Sequence, residues 1–299
     1  MKKVFVLILV LVMAVGMFGC GGGEEPAVDE GATIGLVVST LNNPFFVDLR
    51  DGAQAKADEL GATLIVFDSQ DDAATEMSNV EDLITQGVDL IMINPTDSDA
   101  VGNAVTAANE AGIPVITLDR SANSGEVVAH IASDNVAGGK MAGGFIVELL
   151  AGAGKVVELE GIPGASAARD RGEGFNAAIA ESDIEVVTKQ TANFDRAEGL
   201  SVMENILQAQ PEINAVFAHN DEMALGALEA IKASGRDIKV VGFDATDDAV
   251  KAVQAGEMAA TVQQLPKEIG GNGVAVAMKV LAGEAVDAYI PIELALVTK

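Results

Sequence analysis

The residues of this chain best suited to chemistry fall just after short apolar runs that read as strands. Ser39, Asn43, Phe45 and Phe46 follow TIGLVVS (33–39), and Asp119 and Arg120 follow PVITL. Arg169 and Arg171 lie in GIPGASAARDRGEGF after KVVELE (155–160), and Phe194 lies in TANFDRAEG after IEVVTKQ (184–190). Asn220 ends NAVFAHN (214–220), Phe243 and Asp244 end IKVVGFD (238–244), and Gln263 and Gln264 close MAATVQQ (258–264). Carboxylate, amide and guanidinium groups can each bond two adjacent hydroxyls, and the charged ones bond more strongly. Phenyl rings offer a flat apolar surface to the C–H faces of a sugar ring. Together these side chains form the complement of a neutral polyol. Each has a plainer role as well. Asp119 and Arg120 could form a surface ion pair worth under about 1 kcal/mol, and Asn220 or Asp244 could cap the helix that follows. Seven strand ends carrying the same chemistry favour a site. The chain has no Trp, one Tyr and ten Phe. Phe67, Phe145 and Phe217 fall within strands or helix faces, as core residues do, whereas Phe45, Phe46, Phe194 and Phe243 sit at strand ends or just beyond them.

Other chemistries find little support. GGKMAGG (138–144) lies within a helical pattern and lacks the spacing of a dinucleotide-binding turn, and there is no GxxxxGK[ST] phosphate loop. His130 and His219 are the only histidines and are far apart, so no metal cluster is expected. Ser133, Ser166 and Ser201 sit in no nucleophile motif and read as structural. No cofactor, metal or catalytic residue is expected, and the chain reads as a binding protein rather than an enzyme.

The elements that must position these residues alternate strand and helix from residue 33 onward. PFFVDLRDGAQAKADEL (44–60) carries apolar residues at steps of three and four, with Pro44 fit for the first helical position and Gly61 for the stop. TLIVFD (63–68), LIMIN (90–94) and PVITLD (114–119) read as further strands, with helices near 73–86 and 98–111 between them. The second half repeats the scheme, with helices near 135–150, 168–181, 196–209, 221–234 and 246–255. Strands rich in Val, Ile and Leu without alternation belong to parallel sheets covered on both faces. The expected fold is α/β, two doubly wound parallel-sheet domains. No low-complexity linker separates the halves, so the boundary near 132–134 is a crossover, and a ligand would sit where strand C-terminal ends face each other.

The first residues stand apart. Lys2 and Lys3 precede an uncharged apolar stretch, 4–19, ending at Gly19-Cys20. That order reads as a signal peptide over 1–19, and sixteen residues fall short of the roughly 20 that span a bilayer. Cys20 is the only cysteine, so no disulfide can form within one chain. Its place resembles a bacterial lipobox, although MFGC has Met17 and Phe18 at positions where Leu and a smaller residue are usual. Lipidation of Cys20 is expected, with 20–32 as a flexible tether. The chain would then reside on the outer face of the cytoplasmic membrane or in the periplasm, touching membrane only through its lipid. The net charge of −27 argues against nucleic acid as a partner.

Taken in order, STLNNPFF (39–46), NPTDSDAVGNAV (94–105), IPVITLDR (113–120), HIASDN (130–135), GASAARDRGEGF (164–175), NDEMALGAL (220–228) and VVGFD (240–244) resemble the ribose-binding members of the type I periplasmic binding proteins of bacterial ABC import systems. The likeness runs from about residue 33 to 299. It implies a hinge of three crossovers, with one domain holding 33–133 and 265–293 and the other 134–264 and 294–299. It implies that Phe45, Phe46 and Phe194 stack on ribose as a pyranose, with Phe243 adding to the wall. Asn43, Asp119, Arg120, Arg171, Asn220, Asp244 and Gln264 would bond hydroxyls, with Ser39 a further contributor; Arg171 is chosen over Arg169 by its place in the motif. The partners implied are the sugar, an ABC transporter permease and a chemoreceptor. The alternative is another sugar in the same cleft: allose, xylose, galactose or a furanose signal molecule. Ala245 stands where the family has Gly after FD, His219 where Gln is common before ND, and Gln263 where a smaller residue precedes Gln264.

Overall fold

The computed structural model describes residues 31–299; the signal stretch, Cys20 and most of the tether lie outside the described residues. Strand β1 (Thr33–Val38) is buried over its last five residues, as a strand covered on both faces must be. Helix α1 (Pro44–Leu60) starts where the Asn43 side chain accepts the Phe45 N–H, and it stops at Gly61 in the left-handed region at φ 72°. The alternation continues through β2 (Thr63–Asp68), α2 (Ala73–Gln86), β3 (Leu90–Ile93), α3 (Val101–Glu110), β4 (Val115–Leu118) and β5 (Ala129–Ser133). The chain then crosses to a second lobe, built from α4 (Asn135–Leu149), β6 (Ala153–Glu160), α5 (Ser166–Ile179), β7 (Asp183–Thr191) and α6 (Arg196–Ala209). It continues there with β8 (Ala215–Ala218), α7 (Asp221–Ser234), β9 (Lys239–Asp244), α8 (Asp247–Ala255) and β10 (Ala260–Gln263). It returns to the first lobe for α9 (Pro266–Leu281) and β11 (Tyr289–Ile292), and ends in the second with β12 (Ala295–Thr298).

The two six-stranded sheets run β11-β5-β4-β3-β1-β2 and β12-β10-β9-β8-β6-β7. Every pairing is parallel except β12 on β10. Three crossings join the lobes: β5 to α4, β10 to α9 and β11 to β12. Each sheet carries an apolar core on either face.

Four elements escape the periodicity reading. β5, β11 and β12 have only four or five residues, and β11 and β12 are half-exposed edge strands without a continuous apolar run. Helix α9 contains Gly270, Gly271 and Gly273, which read as breakers. Their use is close approach: a Cβ on Gly270 would strike the Leu49 carbonyl of α1. The glycines of GGKMAGG serve the same end, since Gly139 and Gly143 of α4 lie against the backbone of α5. Edge strand β7 also differs from expectation, since none of its nine residues is buried and its last three are exposed, rather than being covered on both faces.

Candidate binding site

Parallel strands send all their C-terminal ends to one side, so the loops of the two sheets meet across a cleft. Backbone strain gathers there. Of the eight non-glycine residues with positive φ among the described residues, seven (Gln70, Asp71, Asp119, Asn193, Phe194, Asp244 and Ala245) sit at the end of a strand or in the loop after one, and only Ala151 lies elsewhere. Such conformations cost of order 1–3 kcal/mol each and persist where the surroundings over-determine them.

Ten of the twelve residues singled out from the sequence line one cavity: Asn43, Phe45, Phe46, Asp119, Arg120, Arg171, Phe194, Asn220, Asp244 and Gln264, with Ala167 beside them. Ser39 and Phe243 stand one layer back. Ser39 is wholly buried at the end of β1, its N–H given to Asn94 Oδ1 at 3.1 Å. Phe243 lies in the core, and its ring carries the Arg171 guanidinium at 3.9 Å. Arg169, on the outer side of α5, pairs with Asp170 in solvent.

Each lobe holds its charged groups firmly. In the first, Asn94 donates from one amide to the Leu118 carbonyl at 3.2 Å and to Asp119 Oδ2 at 3.4 Å, tying β1, β3 and β4 together. Arg120 donates to the Pro95 carbonyl at 3.1 Å, and its Nε lies 3.8 Å from Asp119. Both members of that pair are buried, so it is no surface ion pair. In the second lobe, Arg171 Nε donates to Asn135 Oδ1 at 2.8 Å and an Nη to the His219 carbonyl at 2.6 Å, with Asp244 3.8 Å away. Gln264 donates to Asp244 at 2.9 Å. Asn220 caps α7 by accepting the Met223 N–H at 3.0 Å, and gives its amide to the Phe194 carbonyl at 3.1 Å. Buried Asp221 braces the strained loop after β9 by accepting from Thr246 and Thr261.

Three buried atoms of cavity-lining residues find no hydrogen-bond partner in the protein: Asp119 Oδ1, Arg120 Nε and Gln264 Oε1. A buried polar atom left unmatched costs about 1–3 kcal/mol, so these atoms reward a ligand that carries hydroxyls. Burial pushes the Asp119 carboxyl up, opposed by Arg171 and Arg120. It raises Asp244 to about 7 despite Arg171. It also raises Asp221, with Asp244 adding repulsion.

The lobes touch across the cleft. The Arg120 guanidinium lies 5.1 Å from the Phe46 ring of its own lobe and 5.1 Å from the Phe194 ring of the other. Ser98 donates its N–H to the Gly164 carbonyl at 3.0 Å, and its hydroxyl accepts the Ser166 N–H at 3.2 Å. Ser121 donates to the Ser166 hydroxyl at 2.9 Å. Ser166 is therefore a bridging residue; Ser98 and Gly164 carry no signal in the sequence beyond their place in the quoted segments, and Ser121 falls just outside them. A second, polar cavity adjoins the first and shares Asn43, Phe46, Arg120 and Phe194 with it; Asp71, Asn193, Asp195 and Glu222 are among the residues that complete its wall. Among the described residues, no cluster of His, Cys, Asp and Glu fits a metal, and no helix is long and apolar enough to cross a membrane.

Two α/β lobes joined by three crossings, closed on a cavity of hydroxyl-bonding groups and phenyl rings, define a solute-binding protein. The chain belongs to the periplasmic binding protein family, whose domain it matches over residues 34–285. It is 57% identical over 290 residues to the ribose import binding protein RbsB of Escherichia coli (strain K12), covering 97% of each chain. It is 54% identical over 267 residues to RbsB of Bacillus subtilis (strain 168), covering 89% of this chain and 87% of that one. Among solved structures it resembles an ABC transporter solute-binding protein from Actinobacillus succinogenes 130z with bound D-allose, at TM-score 0.84 and 33% identity, covering 89% of this chain and 97% of that one.

Proposed function

We propose that this protein binds D-ribose as a pyranose between its two lobes and delivers it, unaltered, to the permease of an ABC importer. The observation that carries the reading is the cavity itself. Both lobes supply charged and amide groups to it, and three of those groups hold buried atoms that the protein leaves unbonded. The high identity to RbsB proteins along nearly the whole chain favours ribose. Phe45, Phe46 and Phe194 stack on the ring, while Asn43, Asp119, Arg120, Arg171, Asn220, Asp244 and Gln264 bond hydroxyls. Each domain supplies part of this set: 33–133 with 265–293, and 134–264 with 294–299. Sugar that bridges both domains binds the closed state better and shifts the population toward it. The permease, and a chemoreceptor, then recognise the closed surface. Cleavage before Cys20 and lipidation there hold the protein at the membrane; acyl-free mature protein in the medium would count against that anchor.

Calorimetric titration with D-ribose, followed by recovery of the sugar, tests the reading. Micromolar or tighter binding with unchanged ribose supports it, and turnover of the sugar overturns the binding role. A hexose is the second reading. The adjoining polar cavity would take an exocyclic arm, and the similar A. succinogenes protein holds D-allose. Tighter binding of allose than of ribose would establish it.

A further inference from the structure

Behind the cavity, β6 carries a carboxylate out of reach of both sugar and solvent. Glu158 is fully buried, a rare position for a charge unless it is paired. Its Oε1 lies 3.0 Å from His219 Nε2, and its Oε2 lies 3.1 Å from Lys189 Nζ. The Asn176 amide donates to both oxygens, at 3.3 and 3.1 Å. Helix α5 settles directly onto this pair because residue 172 is glycine: a Cβ there would stand 3.1 Å from Glu158 Oε1 and 3.3 Å from His219 Cε1. The chain neighbours of these contacts belong to the cavity. Arg171 precedes Gly172, and Asn220 follows His219. The His219 carbonyl accepts the Arg171 guanidinium at 2.6 Å. One residue thus joins the buried carboxylate, through its ring, to a cavity guanidinium, through its carbonyl.

We propose that Glu158 and His219 are positioning residues for the sugar site: their buried hydrogen bond fixes the end of β8 so that Arg171 is held at the reach its ligand needs. The proposal rests on the reading of Arg171 as a sugar-bonding group. Because the Glu158 carboxylate only accepts, Nε2 carries the proton and Nδ1 is bare; Nδ1 has no partner. The charges facing the ring are Glu158 and Glu160 on β6, Arg171 on α5 and, beyond Glu158, Lys189 on β7. Burial pushes the imidazole down, against the pull of Glu158. Burial also opposes ionisation of Glu158, but His219 and Lys189 outweigh it and hold the carboxyl below the usual range. The pair is therefore a neutral donor and an ionised acceptor, and its geometry is stiff.

A double-mutant cycle on the whole protein, read by calorimetric titration with D-ribose, tests this. His219→Ala should weaken binding roughly tenfold when Arg171 is present, the size of one lost positioning hydrogen bond. In an Arg171→Ala background it should cost less than about twofold, because residues acting through one another do not add. His219→Gln, which keeps a donor toward Glu158, should recover most of the loss. Should His219→Ala fail to fold, the same cycle with Glu158→Gln serves, and a severalfold loss that vanishes without Arg171 is expected. Losses that add to that of Arg171→Ala, or a His219→Ala protein that binds like wild type, overturn the proposal. An Arg171→Ala protein that binds ribose as tightly as wild type overturns instead the reading of the site on which it rests.

Discussion

Arg120→Ala removes one group from several roles at once, and its cost can be assembled from the geometry. Arg120 is buried, lines the cavity and holds an Nε with no hydrogen-bond partner in the protein. A hydrogen bond from such a charged donor to a sugar hydroxyl contributes about 1.5–3 kcal/mol. The guanidinium also lies between two phenyl rings, each contact worth about 0.5–2 kcal/mol. Only the Phe194 contact counts toward binding, because Phe46 shares a lobe with Arg120 and stays with it when the cleft opens. The expected loss is therefore about 2–5 kcal/mol, or roughly 30- to 5,000-fold in Kd. Arg120→Lys keeps the charge but loses the plane that both rings cover, so it should fall between wild type and alanine. Calorimetric titration with D-ribose measures all three proteins. If Arg120→Ala binds within threefold of wild type, neither the hydroxyl bond nor the contact across the cleft has the role assigned to it.

Gly164→Ala should weaken sugar binding severalfold without altering any group in the cavity, because its Cβ would strike the Asp97 carboxylate of the other lobe. Asp97 cannot move aside freely, since it accepts from the Asp99 and Ala100 N–H groups at 2.8 Å; faster ribose release in stopped flow is the check. Glu76 is wholly buried on α2 and accepts the Thr96 N–H at 2.7 Å, and burial raises its carboxyl from 4.5 to about 7. The native state therefore keeps a proton that the unfolded chain sheds, and the stability this proton brings is complete below about pH 4.5 and lost as pH rises through 7. Glu76→Gln should flatten that decline and add up to about 3 kcal/mol at pH 8 relative to wild type, as urea unfolding at several pH values will show. Ala245 sits at φ 58°, so Ala245→Gly should stabilise the folded protein by about 1 kcal/mol in urea unfolding.

The strands and helices that carry the site were legible because their signals are local. An unbroken apolar run such as β1, or the three-and-four spacing of α1, needs no knowledge of what packs against it. Helix α9 was illegible for the opposite reason: Gly270 answers to Leu49, more than two hundred residues earlier, and only the packed pair explains it. The cavity residues could be found as polar and aromatic side chains after strands. Burial separated those that line the cavity from Ser39 and Phe243, which support it from behind, and it separated Arg171 from Arg169. The contacts that close the cleft left no trace, because a serine that bridges two lobes has the same local sequence as one that faces water. Glu158 was likewise hidden, since a charged residue in an apolar run says nothing of the histidine it meets from another strand.

The polarity of the strands also decides where the chain enters and leaves the folded body. Parallel strands point their C-terminal ends at the cleft, so residue 31, just before β1, lies at the far pole of the first lobe. The antiparallel β12 starts beside the cleft and runs outward, carrying Lys299 to the far pole of the second, next to Gly256 at the end of α8. Under the proposed anchoring, a tether before residue 31 would pull on the first lobe alone and leave the mouth of the cleft unobstructed. A pair of fluorophores placed at residues 31 and 299 would span the two lobes from end to end, so that the proposed closure would register as a change in their separation while neither dye approaches the sugar.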